Sequence, residues 1–283
     1  MIVGLAAALT ASVLFNVGIV LQAIDARTAP PGLALRLALL RRLLRRRVWV
    51  LGWLLGIVGI WPQVVAYSRA PFVVVQPALA GGLLLMLALG VHVLGEHVAL
   101  KDVVGVAAII AGVVLVAWGA PSHTETHRSW PAVIAVVAAL SLAGIVPFFV
   151  RGTRLDRGML VVVACGCGFA ATNVATKLLG DDFNAGHNWN ALEWGLVGLG
   201  NGVAATLTNM TAFQRKAATI VVPISTAVQT FLPIVVEPLF LEEHLGSAAL
   251  GGGPLIAGLI IACAGSVLVA GSAGVSELFA RAA

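Results

Sequence analysis

The sequence predicts an all-α, polytopic membrane protein of about nine transmembrane helices arranged as two inverted repeats. Three observations carry that prediction. The 283 residues are 60% hydrophobic and only 10% charged, with a mean hydropathy of +1.02, whereas a soluble domain carries about a quarter charged residues. Nine apolar runs approach the ~20 residues a helix needs to cross the hydrocarbon, and little chain remains for a soluble domain. A pattern in the first half also returns in the second. Ala70-Pro71 and Val75-Gln76-Pro77 open a long apolar run that turns at Glu96-His97, and a further run closes at Ala120-Pro121. Later, Val221-Val222-Pro223-Ile224 opens another run that turns at Glu242-Glu243-His244 and returns to Gly271. The proline-to-glutamate spacing is 19 residues in the first copy (77 to 96) and 20 in the second (223 to 243). Two copies of one helical hairpin are how many membrane transporters are built.

Taken in order, residues 2–22 form the first span, without a basic stretch ahead of it and interrupted by Asn16, which predicts a retained helix rather than a cleaved signal. The segment 24–47 follows, broken at Pro30-Pro31-Gly32 and carrying seven arginines (27, 36, 41, 42, 45, 46 and 47). Within it, residues 33–44 have the pattern of a short interfacial amphipathic helix. Anionic-lipid contact and a plain topology anchor both explain so basic a segment, and the anchor is the simpler. The remaining spans are predicted at 48–67, 71–94, 103–119, 131–150, 158–179, 191–213, 218–241 and 254–271. The whole chain, 1–283, then forms one transmembrane domain, with a first repeat in 1–121 and a second in 131–283.

Placing 24–47 in the cytoplasm puts 14 of the 17 basic residues on that side, against Arg69, Arg128 and Lys177 outside. The positive-inside rule then sets the N-terminus outside and the C-terminus in the cytoplasm of a bacterial-type inner membrane. The same threading runs the Pro77 helix inward and the Pro223 helix outward, so the two copies are inverted. The formal charge of +5 sits mostly in short loops at one face, which excludes a nucleic-acid footprint. No Walker A motif, dinucleotide fingerprint or zinc-protease signature appears, so neither an ATP-driven pump nor an enzyme is expected, and no cofactor.

Polar groups inside apolar spans are costly and mark function or interhelical hydrogen bonding. Asn16, Gln63, Tyr67, Gln76, Asn173, Asn209 and Gln229 are the candidate substrate-binding set, with Asn201 a further amide in the seventh span. Gln63 and Tyr67, four apart, share a helix face. Glu237 is the one carboxylate well inside a span and the candidate for ion coupling or cation binding; snorkelling to the interface explains it equally well. Lys177 is expected to snorkel outward. Pro77 and Pro223 are candidate hinges, with Pro233 and Pro238 as further kinks. Gly195, Gly198, Gly200 and Gly202 predict close helix approach. Cys165, Cys167 and Cys263 lie in apolar runs and predict packing rather than chemistry. His123, Glu125 and His127 alternate in an outer loop as a weak metal motif.

These hairpins resemble the EamA-type repeat of the drug/metabolite transporter superfamily. Tyr67, Ala70-Pro71, Val75-Gln76-Pro77, Glu96-His97, Ala120-Pro121 and Ile220-Val221-Val222-Pro223-Ile224 are similar to the pattern of its NIPA-like magnesium transporter branch, and Lys177 falls where that branch carries a lysine. The resemblance implies a nine- or ten-helix carrier that moves small solutes by alternating access without ATP. It departs at Ile60, where the branch carries an acidic residue, while Gln63 keeps its amide. A divalent cation prefers charged oxygen ligands, so the expected substrate is a small, partly polar organic solute, with export favoured over import. A magnesium or other divalent-cation transporter is the alternative, and a non-transporting or lipid-handling membrane protein the third. A homodimer stays open.

Overall fold

The structure is a computed structural model and describes residues 2–69, 75, 78–119, 130–151, 158–184, 186–240 and 253–282. Among these residues every regular element is helical, and no strand occurs. There are ten α-helices: α1 Ile2–Arg27, α2 Leu37–Leu43, α3 Arg47–Arg69, α4 Gly82–His92, α5 Leu100–Gly119, α6 Trp130–Phe149, α7 Leu160–Asn184, α8 Asn188–Arg215, α9 Ala218–Phe240 and α10 Gly253–Ala282. Nine of them fall on the nine apolar runs, and α2 falls in the basic segment behind a 3-10 turn at Pro31–Leu33. The helices α7 and α10 continue to Asn184 and Ala282, past the ends of their apolar runs. Polarity ends an apolar run, but only proline or a cap ends a helix, and neither extension contains proline. Among the described residues α1 is the one helix both long and apolar enough to cross a membrane by itself, while five other apolar stretches are of 10–17 residues.

By contact the chain forms two compact units, 1–122 with 213–223 and 245–283, and 123–212 with 224–244. In the first unit, α1 and α3 run antiparallel: Gly18 lies at Gly52, Phe15 at Gly59, and Ala8 clusters with Ala66. Small residues recur every seven positions on both helices, Gly4, Ala11 and Gly18 on α1 and Gly52, Gly59 and Ala66 on α3, and all are buried. A Cβ on Gly18 would stand 2.6 Å from the Gly52 carbonyl oxygen, and one on Gly52 2.5 Å from the Gly18 oxygen. Only glycine permits such backbone-to-backbone approach. A period of seven keeps that stripe facing one partner along the whole helix.

The second pair repeats the device. Gly105, Gly112 and Gly119 on α5, again seven apart, meet α10 at Gly265, Gly258 and Leu255, so these helices are antiparallel too. A Cβ on Gly112 would lie 2.6 Å from the Gly258 oxygen and from the Ala262 Cβ.

In the second unit α7 packs against α6 through Val136, Leu140, Ala170 and Ala171, with Leu232 of α9 beside them. Gly168 faces Gly144 and Ala205, and Gly166 faces Ser225 and Val228, so α7 touches α6, α8 and α9 through its small residues. Trp130 and Trp194 stack with ring centroids 6.3 Å apart. Cys165 and Cys167 are buried free thiols in this packing, as expected, whereas Cys263 is exposed. Of the glycines expected to bring α8 close to a neighbour, Gly195 approaches α7, where a Cβ on it would lie 3.0 Å from Leu179 Cδ1, and the other three do less. Gly200 faces open space, and Gly198 and Gly202 make ordinary contacts at 3.5 Å or more.

Candidate functional site

Helix α9 starts without a cap of its own. Arg215-Lys216-Ala217 precede it, with no Ser, Thr, Asp or Asn at the capping position, so its first N–H groups need an acceptor from elsewhere. Glu96 supplies it. The Ala218 N–H donates to Glu96 Oε1 at 2.7 Å and the Thr219 N–H to Oε2 at 2.8 Å. The Arg27 guanidinium at the end of α1 donates to the same Oε1. The carboxylate, carried by the turn after α4, is thus a shared acceptor for two other segments of the first unit, the end of α1 and the start of α9.

The turn that delivers Glu96 is built for this position. Gly95 takes a left-handed conformation, φ +66°, that ends α4, and the Glu96 N–H donates to the Gly90 oxygen at 2.9 Å. Gly90 itself lies against the Thr219 methyl, with no room for a Cβ between them. Gln214 Nε2 adds a hydrogen bond of 3.2 Å to the Ala29 oxygen, tying the same two regions a second time. Burial pulls the Arg27 guanidinium below its ordinary value, and it remains charged at any pH at which proteins fold.

A second carboxylate works the same way. Helix α3 begins in Arg45-Arg46-Arg47, which is both capless and unfavourably charged for a helix start. Asp25 Oδ2 accepts the Trp49 N–H at 2.9 Å, and Arg46 Nε lies 3.9 Å from Oδ1. Asp102 caps α5 locally, accepting the Ala99 N–H at 2.8 Å.

The predicted substrate residues are distributed as follows. Asn16 is buried on α1 and donates to the Ser12 oxygen at 2.8 Å, while Ser12 Oγ donates to the Leu79 oxygen at 3.0 Å. Gly82 of α4 leaves no space for a Cβ against either side chain. Asn16 therefore belongs to a tight polar seam between α1 and α4. Gln63 is half-buried on α3, beside Pro62 inside the same helix. Asn209 on α8 is half-buried, and its Oδ1 is buried with no hydrogen-bond partner. Gln229 on α9 is half-buried and Asn173 on α7 exposed; no hydrogen bond joins them or Asn209 among the described residues. Asn201 donates to its own helix at the Val197 oxygen, 3.0 Å away.

Tyr67 lies in α3, Lys177 in α7 and Glu237 in α9, with side chains outside the described set. Gln76, Pro77, His123, Glu125 and His127 lie outside the described residues. Pro223 is buried in α9, and the helix continues through it. Pro62 and Pro147, inside α3 and α6, are further intrahelical prolines that the sequence reading passed over. Among the described residues no three His, Cys, Asp or Glu side chains group as metal ligands would. Compared with protein-family models, curated proteins and solved structures, the chain has no match.

The roles of Arg27, Asp25 and Glu96 were not legible from hydropathy, which classes them as loop charges. The missing caps were the available signal. Two helices begin in basic, capless sequence, and each takes a carboxylate from another segment, Glu96 from the turn after α4 and Asp25 from the end of helix α1.

Proposed function

We propose that the chain is a multi-pass secondary transporter of the drug/metabolite transporter type, moving a small, partly polar organic solute by alternating access, with export favoured over import. The observation that carries this is the α5–α10 seam. Helices α5 and α10 are the closing helices of the two repeated hairpins, and Gly112 of the one meets Gly258 of the other. Those two glycines are packed on one another: a Cβ on Gly258 would lie 2.7 Å from the Gly112 oxygen. A two-fold axis in the membrane plane maps each residue onto its repeat mate, and antiparallel mates meet where that axis crosses. The closing helices of the two hairpins are antiparallel and in contact, which supports the inverted-repeat reading.

The surface supports a bilayer setting. Leu142, Leu199, Ile260 and Val267 are each more than 60% exposed at positions inside helices, while Ser12, Asn16, Thr208 and Thr211 are buried. Water favours the opposite distribution; hydrocarbon favours this one. Trp118, Trp130 and Trp189 are exposed at helix ends that the threading places outside, as an interfacial belt would be. With the N-terminus outside, Arg27, Glu96 and the start of α9 share the cytoplasmic face. There their ion pair serves as an inner gate, closed when Glu96 caps α9.

The test is uptake by vesicles holding the purified protein, measured with labelled amino acids, amines and cationic drugs, and separately with magnesium. Saturable uptake of an organic solute, weakened by Gln63→Ala, is the expected result. Magnesium flux lost in Glu237→Gln would replace this proposal with the divalent-cation alternative. Vesicles tight to every solute would leave a non-transporting or lipid-handling protein.

A further inference from the structure

A cavity of about 500 Å³ lies in the basic segment, lined by Leu33, Ala38, Arg41, Arg42, Arg45 and Arg46. Four guanidinium groups around one space repel each other unless an anion sits among them. Among the described residues one carboxylate approaches them, Asp25, which stands 3.9 Å from Arg46 Nε and is already spent on the Trp49 N–H. Among the described residues no anion pairs with Arg41, Arg42 or Arg45. The cluster carries three uncompensated positive charges.

The backbone holds these arginines in place. Leu39 and Leu43 of α2 are fully buried, which anchors one face of the helix and leaves the arginine face open. Leu35, just before it, adopts a left-handed conformation, φ 54°, and is buried. A branched residue in that region costs about 1–3 kcal/mol and persists only where its surroundings fix it. The turn that aims α2 is therefore determined by packing, not by chance.

We propose that this groove is a binding site for a phosphate group, and that the phosphate is the headgroup of an anionic lipid. Guanidinium forks match phosphate oxygens in pairs. The lipid source follows from Leu37, which opens α2, and Leu44, which caps its end; they flank Arg41 and are 60% and 56% exposed. Bare leucines beside open arginines are the pattern of a helix lying at a headgroup boundary. The lipid assignment rests on the membrane setting proposed above; phosphate binding by the arginines does not.

The experiment compares the parent protein with Arg41→Gln/Arg45→Gln, both in detergent. Each is titrated with short-chain phosphatidic acid, phosphatidylcholine of the same chain length, and inorganic phosphate. Native mass spectrometry counts bound lipid, and the thermal midpoint reads stabilisation. Unchanged helix content and rescue by Arg41→Lys/Arg45→Lys exclude simple misfolding. The parent should bind phosphatidic acid and be stabilised by it. The double glutamine variant should bind about thirtyfold more weakly, since each cation near an anionic headgroup contributes about a fivefold factor. Equal binding by both proteins, or equal response to phosphatidylcholine, overturns the site. Inorganic phosphate that reproduces the stabilisation and displaces the lipid overturns the lipid source and leaves the phosphate site. Alkaline extraction of membranes, run in parallel, tests membrane integration separately, so its failure is distinguishable from failure of the site.

Discussion

Replacing Glu96 by alanine removes one side chain and leaves three donors without an acceptor. The Ala218 and Thr219 N–H groups, bonded at 2.7 and 2.8 Å, become orphans at a helix start that has no cap of its own. Arg27 keeps a charge in a site where the Glu96 side chain is only 5% exposed and its own is 26% exposed. Breaking one side of a buried pair costs about 3–5 kcal/mol, and loss of a cap about 1 kcal/mol. Because water reaches a quarter of Arg27, the lower end applies, and Glu96→Ala should destabilise by about 3 kcal/mol. Glu96→Gln keeps an acceptor for one amide and should cost about half as much. The pair term is isolated by Arg27→Met, Glu96→Ala and the double variant, with an expected coupling of about 1–2 kcal/mol. Unfolding by denaturant in detergent measures all of these. If Glu96 gates the inner face, the same variants should also raise labelling of a cysteine placed at Thr219 from the cytoplasmic side. A stability loss below about 0.5 kcal/mol for Glu96→Ala, with no coupling to Arg27, would refute both the cap and the gate.

The seams and the lone polar groups give further expectations. Gly112→Ala places a Cβ 2.6 Å from backbone oxygen on α10 and should cost about 1–3 kcal/mol. Gly200→Ala meets nothing and should stabilise its helix by about 0.5–1 kcal/mol; melting temperatures of the two variants separate a packing effect from a propensity effect. Asp25→Ala should cost about 1–2 kcal/mol through the α3 cap, with Asp25→Asn recovering most of it in the same measurement. Asn209→Leu removes a buried oxygen that has no partner, so unfolding measurements should find it neutral or stabilising. A matching loss of solute uptake would place Asn209 at the substrate.

Helix existence was legible because apolar runs of this length announce themselves, and the nine runs became nine helices. Partner choice was not. Hydropathy in a chain this apolar hardly varies around a helix, so it does not say which side meets which neighbour. The small residues did carry that information, at a period of seven. Gly105, Gly112 and Gly119 match the heptad of Gly258 and Gly265, and Gly52 and Gly59 match that of Gly4 and Gly18. The denser glycines of α8 drew attention instead, yet density without that period leaves Gly200 facing open space. Among the amides, Asn16 turned out to join a seam with Ser12 and Gly82, which is the hydrogen-bonding role always open to a polar residue in an apolar helix. Asn209, with its unpaired oxygen, is the candidate whose surroundings still ask for a partner.

The two kinds of contact in the first unit differ in what it takes to break them. The α5–α10 seam runs from Gly105 at Gly265 to Gly119 at Leu255, about 20 Å of helix at 1.5 Å per residue. Separating it means giving up close backbone contact over four turns, with no alternative partner that fits a glycine stripe. The Glu96 clamp is three hydrogen bonds at helix ends, one of them also the ion pair with Arg27. At a face reached by water, each of its groups can be rehydrated at a cost of a few kcal/mol, within reach of thermal opening on the millisecond scale. On the transporter reading proposed above, the glycine seam stays as the fixed axis and the molecule opens at Glu96. Cross-linking engineered cysteine pairs would separate the two: a link across Gly112 and Gly258 should leave transport intact, while a link between positions 27 and 96 should stop it. Loss of transport from the seam link alone would reverse the assignment of frame and gate.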